Sequence, residues 1–164
     1  MNGTTSGNEL IIRPRTSRDL AQAAAALVAV HEMDGYPVEG VDDPEQWLSP
    51  SGMRAAWVAE FSGRVVGHVA VSSSEGSGTG TLERLFVLPE ARRRKAGEQL
   101  IRAAEGYAQT KRLALELEVL AKDEAAIRLY KRLGWSEAGQ RTHQLATGSS
   151  HPALTFVKPQ VHSS

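Results

Sequence analysis

Apolar residues along the chain repeat with two periods. Residues 10–13 (Leu-Ile-Ile-Arg) form a short β-branched run that predicts a strand. Thr16-x-x-Asp19 follows as a capping-box-like start for a helix carrying Leu20, Ala24, Leu27, Val28 and His31 at helical spacing and ending near Met33. Residues 34–50 hold three prolines and two glycines, which predicts a long irregular connection with one helical turn around residues 45–48. Residues 57–61 and 64–71 are β-branched-rich runs joined by Ser62-Gly63, the chemistry of a tight hairpin. The serine- and glycine-rich residues 72–80 read as a turn region, and residues 81–88 as another strand ending at Pro89.

The period then changes to that of a helix. Leu100, Ile101, Ala104, Tyr107 and Ala108 predict one buried face on a helix over residues 96–110. Residues 113–120 alternate as a strand. Asp123 is a good N-cap for a helix lined by Ala126, Leu129, Tyr130 and Leu133, with Gly134 placed to end it in a left-handed cap. A strand from Trp135 and a last one over residues 153–157 complete the order β-α-(loop)-β-β-β-α-β-α-β-β, an α/β class with a mixed sheet and helices on its faces. Residues 1–8 and 160–164 lack apolar periodicity and are expected as disordered tails around a single domain spanning residues 9–159.

Composition narrows the function classes. The 19 basic and 19 acidic side chains cancel, so bulk attraction to nucleic acid or anionic membrane is not expected and any phosphate recognition must be local. The chain has no cysteine, which removes disulfides, thiolate metal sites and a thiol nucleophile and fits a cytoplasmic protein. Met1 to Glu9 carry no basic segment ahead of an apolar run, and the longest apolar stretch, residues 23–30, is far below spanning length, so neither export nor membrane insertion is expected. No spacing suggests metal ligation, and His68 reads as a structural histidine on a strand.

Residues 82–100 (LERLFVLPEARRRKAGEQL) are the most informative segment: a strand that stops at a proline, a basic turn, then a helix start. Unpaired amides and partial positive charge at a helix N-terminus favour an anion, and Arg92, Arg93, Arg94 and Lys95 add full charges; on charge alone, a solvated basic turn is the better reading of so short a run.

With these residues the chain resembles the GNAT superfamily of N-acetyltransferases. Leu82-Glu83-Arg84-Leu85-Phe86-Val87-Leu88-Pro89 matches that family's strand motif, and Arg92 with Gly97 matches the ends of its pyrophosphate-binding turn. A second signature is met by Asp123-x-x-Ala126-x-x-Leu129-Tyr130-x-x-x-Gly134-Trp135. The resemblance covers roughly residues 54–139. It departs at Arg93 and Lys95, where the family favours glycine, and at Asp123, where it has asparagine. Glycine there would ease close phosphate approach and positive φ.

The resemblance implies a mixed, mostly antiparallel sheet flanked by helices, a GNAT-like acyl-CoA N-acyltransferase fold, with acetyl-CoA as co-substrate and a primary amine of a small molecule or peptide as acceptor. Leu85, Phe86 and Val87 would run along the pantetheine arm, a main-chain amide around Val87 would hold the thioester oxygen, and Arg92, Arg93, Arg94, Lys95, Ala96, Gly97 and Glu98 would surround the pyrophosphate, with Asp123 and Tyr130 also on the cofactor side. Tyr130 is the implied general acid, and a phenol with pKa about 10 keeps its proton at neutral pH. Glu118 and Glu83 each align with a base used by some family members; Glu118 also reads, with Glu116, as a solvated strand face, and Glu83, with Arg84, as pairing with its neighbours. His31, Glu32 and Tyr36 lie near the segment that lines the acceptor pocket in similar proteins. The alternatives are a degenerate GNAT-like domain that binds CoA or a partner protein without catalysis, and a nucleic-acid module built on the basic run, which zero net charge and 5% aromatics disfavour. No metal is expected, and homodimerisation is left open.

Overall fold

The structure, a computed structural model, describes residues 9–34, 42–144 and 150–158. The tails over residues 1–8 and 160–164, the part of the irregular connection at residues 35–41 and the candidate Tyr36 lie outside the described residues. Seven strands form one sheet in the order β1-β2-β3-β4-β5-β7-β6. β1 (Leu10–Pro14), β2 (Met53–Phe61), β3 (Arg64–Ser73) and β4 (Thr79–Val87) pair antiparallel in sequence order. β4 meets β5 (Ala114–Leu120) in parallel, and β7 (Ser150–Lys158) inserts antiparallel between β5 and β6 (Ser136–Gln144).

The first helix, α1 (Leu20–Asp34), starts where the Thr16/Asp19 pair predicts. Asp19 Oδ2 accepts from the Thr16 amide at 2.7 Å, and both Asp19 oxygens take the Arg13 guanidinium at 2.8 Å. Arg13 also reaches Glu60 at 2.9 Å, so one part-buried ion triad fixes α1 against β1 and β2. The inner face of α1 is mostly small (Ala23, Ala24, Ala26, Leu27, Val30), which lets it lie close on β3, and Gln22 Oε1 receives the Val65 amide at 3.0 Å.

On the opposite face α4 (Ala96–Lys111) buries Leu100, Ile101, Ala104 and Ala108 on β2, β3 and β4, and Tyr107 meets Trp57 edge to face at 5.6 Å. Gly67 allows this approach: a Cβ there would stand 3.1 Å from both Leu100 Cδ1 and the Phe86 carbonyl. Two short helices complete the front half, α2 (Pro44–Trp47) and α3 (Pro89–Arg92). α5 (Glu124–Arg132) is capped by Asp123, which accepts from the Ala126 amide at 3.1 Å, and ends at Gly134 with φ 96°, where Trp135 N–H returns to the Tyr130 carbonyl. No helix among the described residues is long and apolar enough to cross a membrane.

The predicted element order is the observed one, with different edges. β2 begins at Met53 rather than residue 57, because the turn at Gly52 (φ 79°) sends its first residues alongside Ser72, inside the stretch read as a flexible turn. The basic turn contains the single-turn α3, started by Pro89 and anchored by the buried Ala91.

Candidate functional site

A parallel pair that separates creates the site. β4 and β5 are in register only at residues 79–81 against 114–116; beyond that the strands diverge, and the facing edges of residues 82–87 and 117–120 have no ladder between them. Such edges present main-chain donors and acceptors to an extended ligand.

A bulge shapes the β4 side. His68 opposes Phe86 and Ala70 opposes Glu83, so Arg84 and Leu85 together face Val69, and Arg84 has φ 58°. The extra residue puts Glu83 and Phe86, three apart, on the same sheet face, the one covered by α1, and turns Val87 toward Gly97 on the α4 face. Phe86 is buried and stacks on His68 with ring centroids 5.6 Å apart, so this residue offers the cleft its backbone rather than its ring. Arg84 donates through Nε to the Trp47 carbonyl at 2.8 Å and lies 4.5 Å from the Trp47 ring centroid. Burial, with the charges of Arg15 and Arg84 adding to it, pushes the His68 pKa down to about 4, so the ring is neutral at ordinary pH.

The turn below the cleft divides its basic residues by role. Arg92 donates to the Val87 carbonyl at 3.0 Å and pairs with Asp34 of α1, bracing the turn. Arg94 lies over the Phe61 ring at 4.0 Å, turned toward the β2–β3 hairpin. Arg93 and Lys95 have no side-chain partner among the described residues. Lys95 is the N-cap of α4 with φ 60° and ψ 32°, a left-handed conformation that explains why glycine suits this position. Gln99 N–H is the first to bond back into α4, to the Lys95 carbonyl at 3.0 Å, leaving the amides of Ala96, Gly97 and Glu98 at the helix end without intrahelical acceptors. Gly97 itself is not strained: a Cβ would meet Val87 and Leu129 at ordinary contact distances, so neither backbone conformation nor space at the junction of β4, α4 and α5 requires glycine here. Glu98 pairs with Arg132 of α5 at 2.9 Å. Asp123 is engaged as the α5 cap.

The three candidate proton carriers fall on different sides of the sheet. Tyr130 is buried on the α4 face, its ring 6.0 Å from Trp135 and 6.1 Å from Phe156. Strand alternation puts Glu116 and Glu118 on the other face, the side that Glu83 shares with Ala70 and Ser72. Glu118 is exposed; Glu83 accepts from the Ser72 hydroxyl and lies 3.6 Å from the Arg84 guanidinium. An open depression of about 520 Å³ on this face is lined by Arg54, Ser72, Glu75, Thr79, Thr81 and Glu116 among others. His31 and Glu32 sit on the last turns of α1, next to residues 35–41.

Sequence reasoning did not single out Arg15, Trp47 or Ser72, and gave His68 no role at the site. The one available signal was His68 itself, a polar ring after Gly67 inside an otherwise apolar strand.

The acetyltransferase (GNAT) family profile matches residues 21–135. An uncharacterized N-acetyltransferase of Methanocaldococcus jannaschii is 35% identical over 98 residues, 56% of this chain and 43% of that protein. An IAA acetyltransferase of Azospirillum brasilense is 36% identical over 83 residues, 50% of this chain and 54% of that one. The chain thus spans about half the length of the curated relatives it matches. Among solved structures, ribosomal-protein-alanine N-acetyltransferase from Brucella melitensis has a TM-score of 0.74 at 26% identity, covering 90% of this chain and 98% of that one. Arabidopsis thaliana NAA60 in complex with acetyl-CoA has a TM-score of 0.72 at 22% identity, covering 92% and 99%. With a family match over most of its length and a fold shared with these enzymes, the chain belongs to the acetyltransferase (GNAT) family.

Proposed function

We propose that this protein is an acetyl-CoA-dependent N-acetyltransferase that moves the acetyl group to a primary amine by direct attack within a ternary complex. The observation that carries the reading is the divergence of β4 from β5 directly above a left-handed turn and the unbonded amides at the start of α4. An extended thioester fits that geometry, its amides on the open strand edges and its pyrophosphate on the amides of residues 96–98, with the charges of Arg93 and Lys95 nearby.

In the proposed reaction the neutral amine attacks the thioester carbonyl carbon, a carbon–nitrogen bond forms and the carbon–sulfur bond breaks. A main-chain amide near Val87 stabilises the developing oxyanion. Tyr130, on the α4 face, gives its proton to the departing thiolate, and Glu118 or Glu83, on the opposite face, takes the amine proton directly or through water. Having acid and base on opposite faces suits a carbonyl held between the strands. The acceptor would enter from the polar α1 face.

The relatives bear different acceptors in their names, IAA in one and a ribosomal protein's alanine in another, so the acceptor is chosen by assay. Thiol release from acetyl-CoA is measured against simple amines, amino acids, peptides with N-terminal alanine and aminoglycosides. Release that depends on one acceptor class is expected. A folded protein that binds acetyl-CoA and releases no thiol with any acceptor would be a binding domain instead.

A further inference from the structure

Among the described residues, His68 is the one fully buried titratable side chain, and the proposed reaction gives it no part. Its two ring nitrogens both have partners, and together these fix its tautomer. Nδ1 lies 3.0 Å from the Arg84 carbonyl, which can only accept, so Nδ1 carries the hydrogen. Nε2 lies 3.0 Å from Arg15 NH1, which can only donate, so Nε2 is the bare nitrogen. Arg15 is itself fixed, donating to the Leu48 carbonyl at 2.7 Å and the Ser49 hydroxyl at 2.9 Å, immediately after the α2 turn whose Trp47 carbonyl takes Arg84 Nε. A directed chain of donors therefore runs from the end of β1 through an imidazole in β3 to the carbonyl of the bulge in β4.

The bulge residue needs such support. Arg84 has a β-carbon and a positive φ of 58° in the middle of a strand, a conformation held only where its surroundings over-determine it. Its carbonyl is held by His68 and its side chain by Trp47. Everything past it on β4, including the edge at Leu85 to Val87, takes its facing from this one residue.

We infer that His68 is a positioning residue: backed by Arg15, its Nδ1–H locks the Arg84 bulge so that the β4 edge beyond it meets the thioester in one orientation. The inference rests on the acetyltransferase reading for its consequence, while the tautomer and the lock are properties of the protein alone. His68 acts through the backbone and not on the substrate.

Two substitutions separate the lock from mere filling of space. His68→Phe keeps a flat ring against Phe86 and removes both hydrogen bonds. His68→Asn supplies an amide N–H where Nδ1–H stood and gives up part of the ring packing. The lock predicts that His68→Phe lowers kcat about tenfold or more with KM for acetyl-CoA within threefold, and that His68→Asn recovers most of kcat although it is the less well packed. Equal kcat in both variants and the parent, or a loss that follows thermal stability rather than the presence of the donor, overturns it. Long-range proton–nitrogen spectra of the parent without ligand give a readout that needs neither activity nor a folded variant: Nδ1 protonated and Nε2 bare is expected, and the opposite tautomer overturns the inference. A parent protein with the expected tautomer and no thiol release with any acceptor would fail the acetyltransferase reading and leave the lock intact.

Discussion

Acidification should destabilise this protein through His68 before it does so through the carboxylates. The ring is buried and its pKa falls from 6.5 to about 4, chiefly because burial penalises the charged form. Between those two values the unfolded chain binds a proton that the folded chain does not. Stability contributed by neutral His68 is therefore complete above about pH 6.5, declines as pH falls toward 4, and loses nothing more below that. At about 1.4 kcal/mol for each tenfold change in proton affinity, the loss is about 3 kcal/mol, a large share of the 5–15 kcal/mol typical of a domain. Asp19 does not confound the window, because the Arg13 guanidinium holds its carboxyl well below the ordinary carboxylate range, so its contribution disappears only in stronger acid. Urea unfolding followed by tryptophan fluorescence at several pH values from 7.5 to 4.5 measures the slope in the parent and in His68→Asn. The variant starts from lower stability and should have a slope flatter by up to about 1.4 kcal/mol per pH unit. Identical slopes would mean that folded His68 binds its proton as readily as an unfolded one, and the reasoning from burial would fail.

Three other substitutions follow from the geometry. Tyr130→Phe keeps the ring against Trp135 and Phe156 and should lower kcat by about a hundredfold or more, with acetyl-CoA affinity hardly changed in a calorimetric titration; turnover near the parent rate would return Tyr130 to a packing role. Lys95→Gly relieves a left-handed lysine and should raise stability by up to about 1 kcal/mol while acetyl-CoA affinity stays within threefold, since the amides of residues 96–98 and not the Lys95 ammonium are the proposed ligands; a large loss of affinity would assign the role to the side chain. Gly67→Ala brings a methyl group within 3.1 Å of Leu100 Cδ1 and the Phe86 carbonyl, so denaturation should show a loss of about 1–3 kcal/mol as α4 is pushed off the sheet.

Much of the fold could be read from local chemistry because several elements state their own boundary. Asp123 caps α5 and Gly134 ends it at positive φ, while Thr16 and Asp19 start the turn into α1, each within a few residues of sequence. The bulge at Arg84 could not be read that way. An arginine in a strand carries no mark of left-handed backbone, and the conformation is imposed by partners distant in sequence, Trp47 and His68. The basic run shows the same limit. Four adjacent cations look equivalent in sequence, yet the hairpin ring of Phe61 claims Arg94 and α1 claims Arg92, while Arg93 and Lys95 have no side-chain partner among the described residues. Strand β6 has little apolar pattern of its own, because Ala138 is its one apolar side chain and it pairs on one side only, with β7.

The central claim, that the cleft between β4 and β5 receives acetyl-CoA, is tested most directly by titrating the cofactor into nitrogen-15-labelled protein and following the backbone amides. The claim predicts saturable shifts at Leu85 to Val87, at residues 95–98 and at residues 117–120, with the amides of β1 and the outer turns of α4 nearly still. Shifts clustered on another surface, or none at millimolar acetyl-CoA in a well-dispersed spectrum, would contradict it.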